Sequence, residues 1–210
     1  MKAEFQNFKE LMEERRSVNF FDPEQELSRD LLKEIINMAV LAPSSFNLQP
    51  WEIIAISSED KRQELYDKAC DQEKVLKAPV VLAIIGDKEG YKRDNPMWDE
   101  KLRLGKLTED KAEGIINYSD NNLYFNENKK VAFAIRNSSL LAMSIMFTAK
   151  YFGVDSHPMI GFDEAKLKEI YDLPDNKVVT MLICLGYFDQ SKELDPRETR
   201  RGFEEIVKEY

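Results

Sequence analysis

The segment that most limits the fold lies at residues 128–152; it contains AFAIRNSSLLAMSIMFTAKYF and is closed by Gly153. Its pattern is helical, and a glycine just past the last apolar residue is a common helix stop. Apolar and small side chains surround this helix almost completely, so it has to be buried on most of its sides. A chain of 210 residues offers two places for it: the centre of the molecule, or the contact with a second subunit.

Shorter elements are arranged around it. Phe5, Phe8 and Leu11/Met12 fall on one helical face. The pattern repeats after Ser28, a plausible N-cap, with Leu31, Leu32, Ile35, Ile36 and Ala39, and Pro43 ends that helix. WEIIAI at 51–56 predicts a strand that leads through Ser57 and Ser58 into a helix over 59–70. VVLAII at 80–85 predicts a strand buried on both faces, and VVTMLICLGY at 178–187 predicts another. A further helix begins at Asp163. Residues 88–127 read as polar and irregular, with Thr108 as the cap of one short helix. The last twenty residues lack the apolar density to fold alone, so they are either frayed or laid across another surface. Strands separated by helices, with no repeat or linker, predict one domain of mixed α and β class over residues 1–210.

Charge and composition then remove function classes. A net charge of −9 repels phosphates at long range, which argues against nucleic acid and anionic membranes as partners. The longest uninterrupted apolar run, VVLAII, is far short of the ~18 residues a membrane span needs. The charged start, MKAEFQNFKE, does not read as a secretory signal. Cys70 and Cys184 read as reduced thiols, which predicts a cytoplasmic protein. The single histidine, His157, leaves a histidine-based metal site or a serine triad improbable, and no Gly-x-Ser-x-Gly elbow is present. Gly-x-Gly-x-x-Gly and Gly-x-x-x-x-Gly-Lys loops are absent as well.

Four stretches combine polarity with constraint. Arg15-Arg16-Ser17 places two guanidinium groups and a hydroxyl at the end of a short helix in an acidic chain. In APSSFNLQPW at 42–51, two prolines stiffen a segment that carries Ser44, Ser45, Asn47 and Gln49. In DSHPMIGF at 155–162, Pro158 and Gly161 allow backbone amides to approach a ligand closely. The tail carries Arg197, Arg200 and Arg201. Any phosphate ligand has to meet a local basic cluster such as these provide.

Taken in order, Arg-Arg-Ser, Ala-Pro-Ser-Ser-Phe-Asn-Leu-Gln-Pro-Trp, Pro-Met-Ile-Gly-Phe and an arginine-bearing tail ending in Glu-Glu-Ile-Val resemble the FMN-dependent nitroreductase family over about residues 8–207. The resemblance is weak between 88 and 127, the region that varies around the substrate pocket in that family and a candidate lid. It implies an α+β fold with a central, mostly antiparallel sheet flanked by helices, and a C-terminal tail extending over the partner subunit. It also implies a homodimer with shared active sites. Arg15, Arg16 and Ser17 would bind FMN, with the arginines toward its phosphate, because a planar guanidinium fork suits an oxyanion. Arg200 and Arg201 would complete the cradle, ahead of Arg197. Pro43, Ser44, Ser45 and Asn47, with Gln49 a further member, would reach the flavin held by the other subunit. Pro158, Met159, Ile160 and Gly161 would lie along the ring, with a backbone amide toward N5, and Lys74 would sit near N1 and O2. Asn19 stands where the family commonly has a basic residue, which weakens the charge offered to the flavin.

The activity implied is an NAD(P)H oxidoreductase that reduces nitroaromatics, quinones or similar electrophiles in alternating half-reactions, the chemistry belonging to the flavin. Two alternatives stay open: another flavin reaction, such as oxidation of a small molecule or reductive removal of a substituent, and a flavin-binding sensor with little turnover.

Overall fold

The computed structural model describes residues 7–210, so the expected packing of Phe5 lies outside the described residues. The chain runs α1 (Phe8–Glu14), α2 (Arg29–Ala39), a 3-10 turn (Ser45–Asn47), β1 (Trp51–Ile56), α3 (Glu59–Lys68), α4 (Lys74–Lys77) and β2 (Val80–Asp87). It continues through α5 (Pro96–Arg103), α6 (Glu109–Tyr118), a π-helical turn (Ser119–Leu123), α7 (Glu127–Tyr151), β3 (Asp155–Met159), α8 (Glu164–Ile170), β4 (Lys177–Gly186) and α9 (Phe203–Ile206).

The four strands form one sheet in the order β1-β2-β4-β3, and every pairing is antiparallel. The period of two along a strand explains why VVLAII carries no polar residue. Val80, Leu82 and Ile84 pack with Ile35, Leu141 and Ile145 of α2 and α7. Val81, Ala83 and Ile85 pack with Leu65, Val75 and Leu167 of α3, α4 and α8 on the opposite face. Ser28 caps α2 by accepting from the Leu31 amide, and Asp163 caps α8 by accepting from the Lys166 amide, both as expected.

α7 is the long helix of the sequence reading, and Gly153 ends it at φ 76°. It lies on β2 and β4 and reaches β3, α1 and α2. It comes so close to β2 that a Cβ on Gly86 would stand 2.7 Å from the Ala134 carbonyl oxygen. By length and composition α7 could cross a bilayer, which the search for uninterrupted apolar runs overlooked; half of its most apolar stretch is buried inside the chain. Burial is nonetheless incomplete. Ile135, Leu140 and Met143 form an exposed apolar stripe on the side turned away from the sheet.

Two expectations need correction. Residues 88–127 are not irregular, since they hold α5, α6 and the π turn over a third core of Leu48, Tyr91, Trp98, Ala112 and Phe133. Residues 155–159, for which the sequence predicted no strand, form β3 at the sheet edge against β4, where a proline needs no ladder partner.

Candidate functional site

α1 ends at Arg15, which caps it, and its last turn contains no basic residue of its own. The chain then runs beside β3: Ser17 bridges Ser156 in parallel, and the Val18 amide donates to the Ser156 carbonyl at 3.1 Å. The C-terminal tail folds back over this crossing. Arg16 Nη2 donates to the Asp195 carbonyl at 2.7 Å. Arg197 Nη2 donates to the Arg15 carbonyl at 3.1 Å and also to that of Glu13, two acceptors at the negative end of α1.

Between α1 and the tail lies a cavity of about 220 Å³, lined by Arg15, Arg16, Ser17, Asn19, Arg197 and Arg200 among others. Arg15 is held below the usual guanidinium range, first by burial and then by the charges of Arg197, Arg200 and Arg16. None of these four arginines is in a salt bridge among the described residues. Asp195 and Glu198 line the cavity too, but neither is ion-paired to these arginines, so in a chain of net charge −9 four cations outnumber two carboxylates around one space and can seat an anion. Arg201 lies outside this cavity, and Arg197, ranked below it from sequence, is the tail residue that ties the cavity together.

Along the same edge, the end of β3 carries Pro158, Met159, Ile160 and Gly161. Met159 is buried in the core, whereas Ile160 is 80% exposed, so this stretch presents backbone to solvent. Gln72, which sequence reasoning missed, joins it to Lys74: Gln72 Nε2 donates to the Gly161 carbonyl at 3.1 Å and Lys74 Nζ donates to Gln72 Oε1 at 3.1 Å. His157 Nδ1 donates to the Val18 carbonyl at 2.9 Å. Burial, and then the Lys74 charge, pull the His157 pKa down against that hydrogen bond, which ties Lys74 electrically to the same edge. The structure thus groups Arg15, Arg16, Ser17, Asn19, Lys74, the 158–161 stretch, Arg197 and Arg200.

The segment from Pro43 to Gln49 is elsewhere. It enters β1, at the opposite edge of the sheet from β3, a separation of three strand spacings or ~14 Å. The Ser45 amide donates to Asn137 Oδ1 on α7 at 2.8 Å, the Gln49 amide donates to Ser44 Oγ at 2.9 Å, and Gln49 Nε2 meets Met97 Sδ at 3.3 Å. Pro43, Phe46 and Asn47 remain exposed. Phe46, Asn47 and Gln49 all have positive φ, a conformation that the two prolines did not announce.

Comparison with known proteins follows from this geometry. A family model described as the nitroreductase family matches residues 12–187. MhqN of Bacillus subtilis strain 168 is 33% identical over 207 residues, covering 97% of each chain. Among solved structures, ydfN of Bacillus subtilis superposes with a TM-score of 0.87 at 32% identity, over 97% of this chain and 98% of that one. SE1966 of Staphylococcus epidermidis gives a TM-score of 0.85 at 26% identity, over 99% of this chain and 98% of its own. With the antiparallel sheet, the long central helix and the arginine-lined edge all in place, the chain belongs to the nitroreductase family.

Proposed function

We propose that the protein is a single-domain, FMN-dependent NAD(P)H oxidoreductase, working as a homodimer and reducing nitroaromatics, quinones or similar electrophiles in alternating half-reactions. The observation that carries this reading is the cluster of Arg15, Arg16, Arg197 and Arg200 around one cavity, none of them in a salt bridge among the described residues. A phosphate monoester, with roughly −1.5 to −2 charge near neutrality, fits it better than a carboxylate does. The relatives point the same way: MhqN and SE1966 are provisionally named as an NAD(P)H nitroreductase and an NAD(P)H:FMN oxidoreductase.

Bound FMN supplies hydride acceptance and release at its ring system. The chain's own part is to bind and orient. Arg15, Arg16, Ser17, Arg197 and Arg200 hold the phosphate end, and Arg201 is close enough in sequence to join them when the tail is ordered. Lys74, steadied by Gln72, offers a positive charge to a ring that becomes electron-rich, which is electrostatic stabilisation by a fixed cation. Pro158, Met159, Ile160 and Gly161 run along the ring, and the amides of Ile160 and Gly161, both exposed, offer main-chain donors to it. Asn19 lines the cavity without adding charge.

Pro43, Ser44, Ser45, Asn47 and Gln49 stand at the far edge of the sheet, so their contribution is to the site of a second copy. The exposed α7 stripe and the tail, whose Phe203, Ile206 and Tyr210 are all exposed, support such a partner. The two free, buried thiols support a cytoplasmic location. A reductant that shares the substrate pocket needs no dinucleotide-binding fold of its own.

An absorbance spectrum of the purified protein, followed by anaerobic addition of NADH or NADPH, tests this. A yellow protein that bleaches is expected. A protein that stays colourless after incubation with FMN would overturn the reading.

A further inference from the structure

The turn from Ser44 to Gln49 runs against the preferences of its own residues. Phe46 and Asn47 have φ 53° and Gln49 has φ 49°, in the left-handed region that asparagine tolerates but that strains Phe46 and Gln49. Some of its hydrogen bonds are internal and would travel with it: the Asn47 amide to the Ser44 carbonyl and the Leu48 amide to the Ser45 carbonyl, both at 3.0 Å. Others tie it down. Asn95 Nδ2 donates to the Leu48 carbonyl at 2.9 Å, Gln49 Nε2 meets Met97 Sδ at 3.3 Å, and the Ser45 amide donates to Asn137 Oδ1 at 2.8 Å.

The third tie comes from an unusual place. Asn137 is 3% exposed, within a helix whose other inward positions are apolar or small. A buried amide is costly unless both its ends are paired. Its Nδ2 donates to the Phe133 carbonyl one turn back, at 2.7 Å, and that bond fixes which way Oδ1 points. The Ser45 amide is the only hydrogen-bond partner its side chain has outside α7 among the described residues. Packing of α7 alone gives no reason for an asparagine here; the turn does.

We infer that Asn137 is a positioning residue: α7 uses its side-chain amide to hold the Ser44–Gln49 turn in its strained form, so that Pro43 and Asn47 are presented outward as a rigid edge. The catalytic consequence rests on the proposed function, because the edge is useful only if it meets the flavin of a second copy. The positional part stands on this chain alone.

Two variants separate these parts. Asn137→Leu fills nearly the same volume and removes the acceptor, whereas Asn137→Asp keeps an acceptor for the Ser45 amide. Hydrogen exchange at the Ser45 amide should quicken roughly tenfold in Asn137→Leu, the upper range for a lost neutral hydrogen bond. It should stay closer to wild type in Asn137→Asp. The amides of Leu141 and Ile145 should keep their protection in both, which distinguishes a loosened turn from an unfolded helix. FMN retention should fall by a similar factor in Asn137→Leu and recover in part in Asn137→Asp, with a matching shift in the reduction potential of the bound flavin. Wild-type exchange at Ser45 in Asn137→Leu overturns the inference, and so does faster exchange with FMN affinity and potential unchanged. A wild-type protein that binds no FMN is a different failure: it removes the proposed function and leaves the exchange contrast to decide the clamp.

Discussion

Arg15 bears the repulsion of its neighbours most directly, being partly buried and facing three other guanidinium groups. That strain has a readable consequence. Arg16→Ala should weaken FMN binding by roughly 1.5–3 kcal/mol, the range for a charge-assisted hydrogen bond, while the flavin-free protein loses only about 0.5–1.5 kcal/mol with the Arg16–Asp195 hydrogen bond. Titration calorimetry and urea unfolding check the two halves, and equal losses in both would refute the phosphate role. His157 supplies a second expectation. Its pKa is depressed below the ordinary 6.5 by burial and by Lys74, so the unfolded chain binds its proton more readily. Stability is therefore full above pH ~6.5 and falls as the pH drops from there toward the lower folded-state value. As the only histidine, it makes the test clean: His157→Gln should flatten the slope of unfolding free energy between about pH 7.5 and 5.5. At this scale the arginines were legible in the sequence because cations stand out in an acidic chain. Gln72 and Asn137 were not, since each matters only for a partner that folding brings in, Gly161 for one and Ser45 for the other.

Elements with a strong periodic signal were read almost to the residue: β1, β2, β4, α2 and α7 all appear where their apolar patterns lie. β3 escaped because it sits at an edge, is only five residues long, and contains serine, histidine and proline, so its pairing with β4 leaves no period to detect. α5 escaped for a different reason. Asn95 caps it by accepting from the Met97 amide and Pro96 occupies its first turn, a start signal that polar composition overshadowed. The closeness of α7 to β2 carries its own prediction. Gly86→Ala would force a methyl to within 2.7 Å of the Ala134 carbonyl oxygen, backbone that cannot swing aside. A loss of about 1–3 kcal/mol, typical of overpacking, should appear as a lower urea midpoint with an unchanged m-value.

The fold leaves Ile135, Leu140 and Met143 of α7 exposed, and Phe8 and Leu41 are exposed as well, apolar surface that a partner could cover. If the proposed homodimer uses this face, Leu140→Glu should shift sedimentation from dimer to monomer and release flavin at the same time; a yellow monomer would argue against a shared site. That the segment at 43–49 and the segment at 158–161 lie at opposite edges of the sheet was not visible in the sequence, because strand order is a property of the fold and not of the order along the chain. The arginine cavity has a last consequence. Arg16 meets Asp195 across 179 positions and Arg197 meets Glu13 across 184, so the cavity is closed by segments far apart along the chain and exists only once they have met. Every strand of the sheet lies between residues 51 and 186, so unpicking the stretch from Asp195 to Arg200 should open the cavity while leaving the sheet intact.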